Sequence, residues 1–94
     1  MIIIAGYSLM KTIEERDASV AAFAAMVERA RKQDGCVDMA ITADSIDPMR
    51  SNILEIWRDE QAWKAWRKIA KGPRSRPREI RVSLYRSEVV ENLA

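Results

Sequence analysis

Three tryptophans fall within the fifteen residues from Asn52 to Trp66, and with one carboxylate they form the densest set of chemistry-bearing side chains in this 94-residue chain. Trp57 closes an apolar run, NILEIW, and Glu55 stands two residues before it, on the same face of any strand formed there. Trp63 and Trp66 follow within a helical pattern. A large aromatic at a strand end, facing a helix that carries two more, can enclose a flat ligand. The same rings also fill a core, because burying one is favourable by roughly 2–3 kcal/mol. The chain has no histidine, so it lacks the usual ligand for zinc, copper or haem iron and the base of a catalytic triad. Its chemistry falls to carboxylates, hydroxyls, amides, Arg, Lys and Trp. No metal site is expected.

The elements that must position these groups are legible in order. Residues 2–10, IIIAGYSLM, read as a first strand, apolar on both faces. Gly6 in its middle predicts a bulge or a close approach by another group. Thr12 and Glu15 have capping-box spacing, and Val20, Phe23, Ala24, Val27 and Ala30 form one helical stripe. Gly35 is expected to end that helix as a left-handed cap. Cys36 to Asp44 alternates, with Val37, Met39, Ile41 and Ala43 on one face. DSIDP then has hairpin chemistry, Asn52 to Trp57 returns, and Asp59 caps a second helix that stops at Gly72 and Pro73. Residues 79–87 alternate as a fourth strand, and 88–94 fit an arm lying on a partner.

The order β-α-β-β-α-β is that of the ferredoxin-like α+β fold, an antiparallel sheet with two helices on one face. One domain is expected over 1–94. A chain of this length buries roughly 60–65% of its unfolded surface, so a partner would help. The uncovered sheet face would expose apolar residues, and a homodimer packed sheet on sheet is the simplest completion. A net charge of +2 with 48% hydrophobic and 32% charged residues describes a globular protein and names no partner. Cys36 is the single cysteine; it excludes an internal disulfide and fits a reducing compartment. The apolar run Ile2 to Ala5 is too short for a signal peptide or a membrane span, so a cytoplasmic location without membrane attachment is expected.

MIIIAG, Arg16-Asp17, Asp34-Gly35-Cys36, Asp47-Pro48 and then Glu55, Trp57, Glu60 and Ala62 make the chain resemble the antibiotic biosynthesis monooxygenase domain family. The resemblance covers about residues 1–70. It implies a dimeric α+β barrel of ferredoxin-like subunits. Some members are oxygenases that use neither metal nor flavin on phenols or quinols, and others degrade haem. The axial His of the haem type is absent. Ile53 stands four residues before the signature Trp, where the cofactor-free type has Asn; Asn52, one residue away, points to the opposite face.

That resemblance implies a small aromatic or quinol substrate, molecular oxygen as co-substrate and no cofactor. Trp57 and Glu55 are the catalytic candidates, and the base is Glu55 or Asp38, a carboxylate whose pKa an apolar pocket raises. Trp63 or Trp66 would form the opposite wall, Tyr7 or Tyr85 would donate a hydrogen bond, and Arg81 or Arg86 would stabilise an oxyanion. The alternative is a non-catalytic small-molecule-binding homodimer of the same fold. Lys64 to Arg81 holds eight of the sixteen cationic side chains against Glu79 alone. No aromatic interleaves Arg74 to Arg81, so this stretch is read as a solvated loop that draws anionic substrates rather than as a nucleic-acid surface.

Overall fold

Branched residues at the start of the chain extend as β1 (Ile2–Leu9), and Thr12 begins α1 (Ile13–Arg31) by accepting the Glu15 amide N–H at 3.1 Å. In this computed structural model, which describes all 94 residues, β2 (Cys36–Ala43), β3 (Arg50–Trp57), α2 (Glu60–Ile69) and β4 (Glu79–Arg86) follow. The sheet order is β2-β3-β1-β4, antiparallel throughout. This is the ferredoxin-like arrangement. No helix is long and apolar enough to cross a membrane.

Register decides which side chains meet. Ile4 lies opposite Glu55 and Leu84, Gly6 opposite Ile53 and Val82, and Ser8 opposite Ser51 and Ile80. Cross-strand partners share a face. This face receives both helices: Ile2, Ile4, Met39 and Trp57 pack with Val27 and Ala30 of α1 and with Ala62 and Trp66 of α2. The other face, with Ile3, Ala5, Tyr7, Leu54, Ile56 and Tyr85, carries no helix.

Three expectations are corrected. The first concerns Val37. A bulge between Cys36 and Asp38 pairs Cys36 with Trp57, so Cys36 precedes Met39 on the helix face and Val37 is left 56% exposed. Next, Gly6 sits in unbroken register with both neighbours rather than in a bulge. A Cβ there would meet the Arg81 carbonyl and lie 2.7 Å from Val82 Cα, so the close approach is that of the β4 backbone. Last, Gly35 does not cap α1, which ends at Lys32 in right-handed conformation. It turns the chain into β2 at φ +82, where an added Cβ would collide with Ala62.

Ends and loops are fixed by specific bonds. Asp59 caps α2 by accepting the Ala62 N–H at 2.8 Å. At the other end the Arg29 guanidinium donates to the Ile69 and Ala70 carbonyls at 3.3 and 2.6 Å, satisfying groups that a helix terminus leaves unpaired. Lys71, not Gly72, takes the left-handed turn there, at φ 42. Asp44 closes the β2–β3 hairpin by accepting from the Asp47 amide at 2.8 Å and from Asn52 Nδ2 at 2.8 Å. Arg16 is buried and donates to the Arg50 carbonyl at 3.0 Å, tying α1 to that hairpin.

Candidate functional site

Alternation along β3 aims Ser51, Ile53, Glu55 and Trp57 at the helices, and the first three line a cavity of about 410 Å³ between sheet and α1. That volume lies within the range of small-molecule sites. Phe23 and Met26 of α1 and Ile80 and Val82 of β4 supply apolar walls, while Pro73, Ser75 and Pro77 come from the segment after α2. Gly72 seats this segment against α1. A Cβ there would lie 2.9 Å from Met26 Sδ and 3.2 Å from Phe23 Cε1.

Glu55 is the only ionisable side chain lining this cavity. Burial pushes its carboxyl above the ordinary value, against the opposing pull of the Trp57 hydrogen bond and the Arg67 charge. Trp57 Nε1–H donates to Glu55 Oε1 at 3.1 Å, which orients the carboxylate. Beside it, Ser8 Oγ and Ser51 Oγ are hydrogen-bonded at 2.7 Å in a buried pair, with either able to donate. A hollow with apolar walls, one carboxylate and four serine hydroxyls, two of them in the buried Ser8–Ser51 pair, can bind a flat ring, accept a proton from it and donate a hydrogen bond to the resulting oxygen.

The side chains singled out in the sequence do not come together. Glu55 alone lines the cavity. Trp57 is fully buried, its ring centroid 6.0 Å from that of Trp66 and 25° from coplanar, so this pair is core and Trp57 reaches the cavity only through Glu55. Trp66 also lies 5.6 Å from the Arg29 guanidinium. Trp63 is half-buried against the core, with Arg67 at 5.2 Å over its ring. Tyr7, Tyr85 and Arg81 occupy the opposite, open face. There Arg50 stacks on Tyr7 at 4.2 Å, and Arg81 donates to Glu79 at 2.8 Å. Arg86 pairs with Glu60 at 2.9 Å, away from the cavity. Asn52 is likewise on the open face, bonded within the hairpin, whereas Ile53 lines the cavity.

Ser8, Ser51, Phe23 and Met26 were not picked out by sequence reasoning. A signal existed for Ser51, since its spacing of four from Glu55 places both on one strand face. Ser8 needed the β1–β3 register, which one sequence does not supply.

Fold and cavity define a ferredoxin-like α+β domain with a hollow between its sheet and helices. Residues 2–70 match the family model described as antibiotic biosynthesis monooxygenase, and the chain belongs to that family. No curated protein matches it significantly. Among solved structures, a protein of Nitrosomonas europaea provisionally named an antibiotic biosynthesis monooxygenase is 19% identical, with TM-score 0.73, over 95% of this chain and 100% of its own. A similarly named protein of Deinococcus radiodurans is 17% identical, with TM-score 0.71, over 100% and 99%. A conserved protein of Methanosarcina mazei is 16% identical, with TM-score 0.69, over 93% and 92%. At such identities the likeness establishes the fold.

Proposed function

We propose that the Glu55 cavity binds a flat, electron-rich phenol or quinol and that the protein oxidises it with molecular oxygen, without metal or flavin. The observation that carries this reading is a single desolvated carboxylate, oriented by an indole N–H, in a cavity whose other lining residues are apolar side chains and serines. Glu55 removes a proton from the substrate, and the Ser8–Ser51 pair donates to the oxygen that becomes negative. The electron-rich anion then reduces oxygen by one electron, and the two radicals combine into a peroxide. For a ring methylene of the anthrone type, loss of water leaves a carbonyl. One oxygen atom stays in the product and the other departs as water with the two methylene hydrogens.

Glu55→Gln tests the assignment, because it keeps the side-chain shape and an acceptor for Trp57 while removing the base. Turnover is expected to fall by about 100-fold or more, with ligand affinity by calorimetry changed less than about threefold. Unchanged turnover removes Glu55 from the chemistry.

A second reading is a ligand-binding protein of the same fold without catalysis, and Ile53 favours it by lining the cavity where the cofactor-free oxygenases carry Asn. Under either reading the protein is a homodimer joined through the open sheet face, with Tyr7, Tyr85 and Arg81 at the interface, and it works in the cytoplasm. The half-exposed apolar residues of that face support the dimer.

A further inference from the structure

We propose that a second cavity, of about 470 Å³, is an anion subsite for the same ligand, making the substrate an aromatic that carries a carboxylate remote from its reacting hydroxyl. This rests on the reading of the Glu55 cavity as the ring pocket. The two cavities adjoin, since Ser19 of α1 and Ser75 of the segment after α2 line both.

Their chemistry is complementary. The Glu55 cavity offers apolar walls and one carboxylate, whereas the second is lined by Lys11, Arg74 and Arg76 against Glu15 alone. Glu15 Oε2 already accepts the Lys11 backbone N–H at 3.3 Å. None of the three cationic side chains enters an ion pair within the chain. Unpaired surface cations ordinarily face open water; these converge on one hollow that opens beside the ring pocket. The segment bearing the two arginines is held at both ends, by Arg29 on the Ala70 carbonyl at 2.6 Å and by Arg78 N–H on the Leu9 carbonyl at 2.7 Å. Pro73 and Pro77 fix φ on either side of Arg74 and Arg76. An arginine fork matches a carboxylate in two parallel hydrogen bonds, so a pair of them on a restrained segment selects a planar anion. Glu55 repels the same anion, which sets the ligand's direction: hydroxyl toward Glu55, carboxylate toward the arginines.

Isothermal titration calorimetry with 6-hydroxy-2-naphthoate and 2-naphthol, on the wild type and on R74Q/R76Q, tests this. Both arginines are exposed, and circular dichroism checks that the double variant folds. The wild type should bind the naphthoate about tenfold tighter than the naphthol, and the double variant should erase that preference while leaving naphthol affinity unchanged. Equal wild-type affinities, a preference that survives R74Q/R76Q, or an equal loss for both ligands overturns the subsite and leaves the ring pocket standing. Failure of both ligands to bind the wild type overturns the ring pocket as well.

Discussion

Glu55 and Trp57 act as a unit, and their pH behaviour follows from which form burial favours. Desolvation raises the folded-state pKa of Glu55, so its protonated form suits the fold better than its anion. The associated stability is fully present below the ordinary carboxylate pKa and is lost as pH rises through the raised folded value. Glu55→Gln removes this loss. Its melting temperature should gain on the wild type as pH rises from the ordinary carboxylate range through the raised value, and a constant difference across that rise contradicts a desolvated carboxylate. The acid limb of kcat/KM should lie above the ordinary carboxylate range for the same reason. Trp57→Phe deletes the donor that stabilises the anion, so it should move this limb to higher pH and lower turnover about tenfold. A merely structural role would leave the limb in place.

At the scale of elements, most of the architecture was legible because apolar alternation, capping residues and turn residues agreed in β1, α1, the hairpin and α2. The failures have local causes. Alternation cannot reveal the inserted residue that turns Val37 outward, because a bulge is defined by the partner strand. The helix stop was assigned to Gly72 and Pro73, yet α2 ends at Ile69, with Arg29 on its last carbonyls and Lys71 in the left-handed conformation. Of the site, only Glu55 was legible as a cavity residue. Tyr7, Tyr85 and Arg81 looked available because their face is decided by pairing with β3 and β1, which one sequence does not state. Two substitutions test these backbone assignments by chemical denaturation. Lys71→Gly should stabilise by about 0.5–1 kcal/mol, since glycine tolerates a positive φ that lysine does not. Gly6→Ala should destabilise by about 3 kcal/mol or prevent folding, because the β4 backbone occupies the space a methyl needs. A neutral Gly6→Ala would contradict the packing of β1 on β4.

The whole molecule has a covered face, where the cavities lie, and an open face on which Leu54 and Ile56 stand beside Ile3 and Ala5. Sedimentation velocity should find a dimer, and Ile56→Asp, a charge placed at the centre of that face, should give a folded monomer. A monomeric wild type would contradict the pairing of open faces. The proposed oxidation of an electron-rich aromatic with oxygen belongs to the other side of the sheet, in the cavity of apolar walls, serine hydroxyls and one carboxylate. The most direct test is oxygen-dependent conversion of naphthohydroquinones and anthrones by metal-stripped protein with chelator present, corrected for autoxidation and repeated with Glu55→Gln. Product above the control with the wild type, reduced by about 100-fold or more in the variant, is the predicted result. Calorimetric binding of the same ligands without product would contradict it and leave a binding protein of this fold.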